Sequence, residues 1–306
     1  MNGGGLMRQH TIAEKISCTG IGLHGGQLVH LSLFPARAGT GVVFVRTDLE
    51  PRAEIAAHSA NVSATRFATT LASGGARMQT VEHLLAAAYG LGVDNLRVEV
   101  DGPELPVLDG SAASFTYLIH CAGRLAQPEV RPVLRVRRLI EVRSGSSRIA
   151  VAPARGLRVS YAVDFSHRDI GRQEFELDAD DPAAFEREIA SARTFGFLDE
   201  VEAMRRTGFA RGGSLDNAVI LDADGVLNPE GLRWPDEFVR HKVLDLLGDL
   251  ATLGMRLVGH VRVERGGHSL HHALVRAIHA DPDAWRVHEP GRFPGGFALA
   301  SLGARQ

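Results

Sequence analysis

Cysteine is nearly missing from these 306 residues, with Cys18 and Cys121 the only two. Two thiols make no disulfide framework and, alone, no four-thiolate zinc site. They fit a reducing compartment. Long apolar runs are missing as well. None approaches the roughly 20 residues needed to span a bilayer, and the opening MNGGGLMRQHTI holds no apolar core of signal-peptide length. A soluble, cytoplasmic protein is expected, with Met1 and Met7 as alternative starts. No excess of one charge is present either. The formal net charge is -2 and no Lys/Arg run stands out, so a nucleic-acid surface gains no support. No oligomer stripe is visible, and a monomer is expected. Hydrophobic residues make up 44%, enough for a well-buried core, which argues against global disorder. A small-molecule enzyme and an interaction domain both remain open.

The two halves of the chain repeat one order of elements. In the first, QLVHLSLFPA alternates apolar and polar residues and GVVFVRTD is rich in β-branched ones, so both read as strands. TVEHLLAAAYGLG reads as a helix, capped by Thr80 and ended by Gly90 or Gly92. NLRVEVDG is another strand, and SAASFTYLIHCAGRL from Ser111 a second helix. Pro128 and Pro132 punctuate an aperiodic break. Strands VLRVRRLIEVR, SRIAVAP and LRVSYAVDF follow, then a helix from Pro182, a long helix from about Asp236 to Leu253 and the strand-like LVGHVRVER. No residue-level repeat accompanies this similarity, which permits a duplicated α+β layer but does not require one.

The long helix carries the chemistry. His241, Asp245 and Asp249 stand four residues apart, so their side chains form one slanted row. Apolar residues surround the row, and a buried carboxylate is costly unless paired or bound to metal. One reading places His241 and Asp249 at a rim, paired with arginines. The other is a divalent metal site, because His and Asp at this spacing can present nitrogen and oxygen to one ion. A catalytic zinc needs a third protein ligand, which His83 offers, with Glu82 beside it as a base toward water. Glu82 can equally well only complement the positive end of its helix. Gly266 and Gly267 place His268 in a flexible turn, from which it can project into a cleft with Asp249 to orient it. His271 and His272 share that cluster and read equally as surface residues. In SARTFGFL, Thr194 can donate to an oxyanion, and Phe195 and Phe197 either line an apolar wall or close a helix end as core aromatics.

Together TGIGLHGG, TVEHLLAA, DNLRVEVDGPELPVLDGSAASF, ARTFGF, GGSLDNAVI, GLRWPDEFVRHKVLDLLGDL and GGHSL, in this order, resemble the zinc-dependent UDP-3-O-acyl-N-acetylglucosamine deacetylases of lipid A synthesis in Gram-negative bacteria. The resemblance covers nearly the whole chain. It implies an α+β fold of two similar domains, residues 1–128 and 129–306, each a sheet with a helix pair, the helices packed face to face in a β-α-α-β sandwich. It implies one catalytic Zn2+, with Fe2+ an alternative in the cell, held by His83, His241 and Asp245. Glu82 would be the general base. His268, oriented by Asp249, would act as general acid or oxyanion stabiliser, and Thr194 would donate to the oxyanion. Lys242 would approach the sugar-diphosphate, Phe195 the sugar and Phe165 the uracil. Arg265 falls where a lysine is common, which keeps the charge and changes the geometry. Leu198, Val201 and Ala210 would line an acyl-chain passage formed by an insert in the second domain. The implied substrate is the small-molecule UDP-acyl-sugar. Another metal-dependent amide hydrolase on the same scaffold, or a binding protein without catalysis, are the alternatives. Ala68 stands where several members carry a cysteine that captures a second, inhibitory zinc. A zinc titration is therefore expected to show no strong, saturable inhibition at low concentration.

Overall fold

The computed structural model describes residues 7–288. The outer ends of the two expected units, residues 1–6 and 289–306, lie outside the described residues. The fold is α+β. A five-stranded sheet runs in the order Ile16–Ile21, Leu28–Pro35, Leu96–Val100, Val42–Arg46, Ala53–Ala56. The alternation in Leu28–Pro35 buries Val29, Leu31 and Leu33 on one face. Strands Val42–Arg46 and Leu96–Val100 run parallel. Parallel neighbours need a long crossover, and here it carries helix α1, Glu82–Gly90. Helix α2, Ala113–Ala122, follows and packs on α1 and on Ile16–Ile21.

The second half repeats this device. Strands Leu157–Asp164 and Arg256–Glu264 run parallel inside a seven-stranded sheet. Their crossover holds α3 (Pro182–Glu188), α4 (Leu198–Arg206) and the long α5 (Glu237–Ala251). Helix α6, His268–Ala280, then packs on α5 and on strands Ile140–Ser144 and Ser147–Ala152. Helix α1 lies against α5. The layers therefore run sheet, α1 with α2, α5 with α6, sheet, which is the expected sandwich. Every residue of α1 is buried, as are Glu237–Val239, His241 and Val243–Leu250 of α5. Neither helix has a solvent face, so the polar residues on both must find partners inside the protein.

Several expectations about local structure are corrected. Thr80 does not cap α1. Its φ is +57, and its hydroxyl donates to Glu104 Oε1 at 3.0 Å, while Val81 occupies the cap position without a side-chain bond. Gly90 stays inside α1 and Gly92, at φ +68, leaves it. Arginines finish that end: Arg124 donates to the Leu91 carbonyl, Arg131 to Gly92 and Arg256 to Tyr89. The break at Pro128 is a strand, Arg124–Val130, paired antiparallel with Arg8–Ile12. The prolines mask it because they interrupt the pattern without breaking an edge strand. The helix from Ser111 ends at Ala122, where Gly123 has φ +69. The helix from Pro182 ends at Glu188, and Phe195–Phe197 is a short strand parallel to Val219–Leu221 instead of a helix end. His268 opens α6 and does not sit in a turn.

Candidate metal centre and catalytic groups

Three residues from α1 and α5 meet at the contact between the helices. The rings of His83 and His241 are 5.1 Å apart and nearly perpendicular. Asp245 Oδ1 lies 3.2 Å from His241 Nε2 and 3.8 Å from His83 Nε2. Ligand bonds of about 2.1 Å at tetrahedral angles separate ligand atoms by about 3.4 Å, and the two distances bracket that value. Each residue is at most 3% exposed. His241 Nδ1 donates to the Ala192 carbonyl at 3.0 Å, which leaves the lone pair on Nε2. Burial, helped by the neighbouring His241, lowers the His83 pKa to about 3, so its ring is neutral and can act as a ligand. Burial acts to raise the Asp245 carboxyl. The nearby His241, Lys242 and His268 side chains outweigh it and hold the group well below the usual carboxylate range. Its Oδ2 accepts from Lys242 Nζ at 2.8 Å, whereas buried Oδ1 has no hydrogen-bond partner among the described residues. An orphaned carboxylate oxygen facing two imidazole nitrogens fits a cation.

Glu82 and His268 flank this cluster. Glu82 Oε2 accepts from the Thr69 backbone N–H at 3.0 Å, and Oε1 lies 3.8 Å from His268 Nε2. Burial pushes the Glu82 carboxyl up to about 7. The His268 charge opposes that rise and Asp245 and Asp249 add to it. Burial by itself would lower His268, yet Asp249 and Asp245 raise it to about 10. His268 is therefore a cation at neutral pH, beside a carboxyl poised to change charge there.

Asp249 is buried completely and serves three donors: His268 Nδ1 at 2.7 Å, His271 Nδ1 at 2.8 Å and the Thr69 hydroxyl at 2.5 Å. His272 Nε2 lies 3.0 Å from Asp249 Oδ1 and is hydrogen-bonded to the Thr69 hydroxyl oxygen. Asp249, His268 and His271 also have metal-ligand spacing, but both Asp249 oxygens are already committed, which makes this a proton-holding cluster. His271 and His272, expected as possible surface residues, are 0% and 1% exposed. Tyr161 donates to His271 Nε2 at 2.9 Å while Nδ1 serves Asp249, and burial lowers the His271 pKa, so this ring is neutral. Of the three neighbouring histidines, only His268, whose side chain is 10% exposed, turns an unengaged nitrogen toward Glu82 and Asp245.

The remaining expected residues scatter around this centre. Thr194 is half-buried, its backbone bonded to Gly110 and Val219. Lys242 Nζ stands 5.3 Å from the Phe195 ring centre. Phe195 packs edge-on against Phe238 and Phe165, at 5.0 and 5.8 Å. Arg265, at φ +52, donates to the Ser146 carbonyl and to Asp164 beside Phe165. Leu198 and Val201 are half-buried on the first turn of α4. Ala210 is buried, and its carbonyl accepts from Gly213 and Arg205.

Sequence reasoning missed the residues that hold these groups in place. Thr69 joins Glu82 through its backbone and Asp249 through its hydroxyl. No periodicity flags it, because both partners are remote in sequence. Arg193 and Glu237 form a buried pair, with Arg193 N and Nε donating to Glu237 Oε1 at 3.0 and 2.9 Å. That pair clamps the segment holding Ala192 and Thr194 onto the first turn of α5. Removing one partner of such a pair costs about 3–5 kcal/mol. Glu104 accepts from the backbone of His24 and Gly25 and from Thr80, tying TGIGLHGG to the start of α1. The available signal was chemical, since a Glu between two prolines and a leucine in GPELP must be partnered if buried.

The family model for UDP-3-O-acyl N-acetylglycosamine deacetylase, LpxC, matches residues 9–280. A UDP-3-O-acyl-N-acetylglucosamine deacetylase of Myxococcus xanthus (strain DK1622) is 48% identical over 279 residues, 91% of this chain and 88% of the relative. One from Anaeromyxobacter sp. (strain Fw109-5) is 50% identical over 279 residues, 91% of each. One from Citrifermentans bemidjiense is 46% identical over 284 residues, 93% of each.

Proposed function

Because the chain belongs to the UDP-3-O-acyl N-acetylglycosamine deacetylase family, we propose that its catalytic centre is the Glu82, His83, His241, Asp245 and His268 cluster, with Thr194 and Asp249 in support. The enzyme hydrolyses the N-acetyl group of UDP-3-O-(3-hydroxyacyl)-N-acetylglucosamine, releasing acetate and the free amine in lipid A biosynthesis. The family is one of metalloenzymes, and the described residues include a group with metal-ligand spacing. In our reading His83 Nε2, His241 Nε2 and Asp245 Oδ1 hold Zn2+, with Fe2+ able to take the same mixed N/O set. The observation that carries this is the buried, unpartnered Asp245 Oδ1 between two imidazole nitrogens.

A cation held there supplies Lewis acidity toward the amide carbonyl and toward water. The chain's own groups do the rest. Glu82 takes the proton of the attacking water at Oε1 while the Thr69 N–H fixes Oε2. Cationic His268, its Nδ1 bound to Asp249, presents Nε2 to the developing oxyanion, assisted by the Thr194 hydroxyl. The leaving amine takes its proton from His268 Nε2 or Glu82 Oε1. Phe165, Phe195 and Lys242 form the sugar-nucleotide wall, with Arg265 at its edge. Leu198, Val201 and Ala210 guide the acyl chain.

The same reading places the domain junction at 128/129, inside strand Arg124–Val130, and the protein in the cytoplasm as a monomer. Among the described residues no helix is long and apolar enough to cross a membrane, and Cys18 and Cys121 are unpaired. The decisive experiment measures metal content and acetate release together on the purified protein supplied with UDP-3-O-acyl-N-acetylglucosamine. About one ion per chain and metal-dependent acetate release are expected. Turnover of a different amide with none of this one, or activity indifferent to chelation, would overturn the reading.

A further inference from the structure

We infer that Gly248 is a positioning residue that sets the distance between the general base on α1 and the metal ligands on α5. The inference rests on the roles proposed above for Glu82 and His83. A glycine in the middle of a buried, leucine-rich helix needs a reason, because it costs about 0.5–1 kcal/mol relative to alanine there. The reason lies across the helix contact. A Cβ at position 248 would stand 2.8 Å from the Glu82 carbonyl carbon and 3.0 Å from its Cα, and closer still to the carbonyl oxygen. All three are backbone atoms, so no rotamer relieves the clash. Ordinary contact for a Cβ begins at 3.4 Å. The first turn of α1 would have to retreat from α5 by roughly 1 Å, a displacement that can cost about 100-fold in rate even without loss of a catalytic group.

That turn carries both Glu82 and His83, while Gly248 lies three residues after Asp245 and one before Asp249. The missing methyl therefore acts where the two helices jointly build the site. Moving α1 lengthens the paths from His83 to Asp245 and from Glu82 to His268, now 3.8 Å each. It also strains the Thr69 N–H bond to Glu82.

The comparison is Gly248→Ala against Gly90→Ala. Gly90 sits at the other end of α1, where a Cβ would meet the Phe185 ring at 2.6 Å or less, far from the site. A packing role alone predicts that both variants lose thermal stability and keep kcat and metal affinity. A positioning role predicts that Gly248→Ala also loses about 100-fold in kcat with KM within about threefold. Its metal dissociation constant should rise about tenfold or more. Cobalt-substituted protein supplies a readout independent of turnover. Its visible spectrum should change in Gly248→Ala and match the parent in Gly90→Ala. The inference is overturned if Gly248→Ala keeps the parent kcat, metal affinity and cobalt spectrum, or if it fails to fold even with metal added. Should Glu82→Gln retain full activity, the site reading itself would fall instead.

Discussion

Glu82→Gln is expected to lower kcat by about 10²–10⁴-fold while the protein still binds one metal ion per chain. The glutamine keeps the volume of the side chain and the bond from the Thr69 N–H, so the site stays assembled. It removes the carboxyl beside the cluster that burial pushes up to about 7. Glu82 acts ionised, so the parent rate should rise with pH as this carboxyl loses its proton. The protein groups set that step at about 7, and a nearby cation draws it lower. The ascending limb should vanish in the glutamine variant. His83→Ala should do the opposite to binding. It removes the proposed ligand nitrogen, 3.8 Å from Asp245 Oδ1, and should raise the metal dissociation constant by more than about 100-fold, beyond what loss of an outer partner costs. Metal analysis and steady-state rates on the two proteins settle the assignment. Equal metal loss in both would mean that Glu82 and His83 have been given the wrong roles.

Removing the charge of His268 should cost about 10²–10³-fold in kcat, since it supplies oxyanion stabilisation, proton delivery or both. His268→Gln is the cleaner substitution because an amide still reaches Asp249. The pH dependence identifies the charge. His268 acts protonated, and its folded-state pKa is raised to about 10, mainly by Asp249 and Asp245 against the effect of burial. The parent rate should therefore hold through neutral pH and fall as the pH rises through that value. His268→Gln should abolish the descending limb. Asp249→Asn removes the largest raising influence and leaves burial in place, so the limb should move to lower pH. A descending limb unchanged in both variants would exclude His268 as its source. Because Asp249 also anchors His271 and Thr69, Asp249→Asn should lower the melting temperature by more than His268→Gln, which removes one charged partner of Asp249 and leaves the other two bonds.

The chemically costly residues were readable before any fold was known. His241, Asp245 and Asp249 stood out because charge every fourth residue in an apolar helix demands partners. Glu82 and His83 stood out as a polar pair at the head of a second apolar helix. The layer order came from the family resemblance, and the repeated alternation of strands and helices only permitted it. Local boundaries were less legible. Thr80 looked like a cap, but its hydroxyl serves Glu104, 24 residues away. Arg124–Val130 looked like a linker because its pairing partner, Arg8–Ile12, lies at the far end of the half-chain. Phe195–Phe197 looked like a helix end because its strand partner comes 24 residues later.

By itself, then, the sequence determined which residue types need partners: histidines and carboxylates set in an apolar scaffold unable to leave them unpaired. Periodicity and the cost of burial are local quantities, and a local reading finds them. Only the tertiary structure decided which of three clustered histidines faces Glu82, that Thr69 and the Arg193–Glu237 pair hold the site, and that Gly248 lets two helices touch. Those facts depend on atoms far apart in the chain arriving within a few ångströms of one another, and no spacing along the sequence records such an approach.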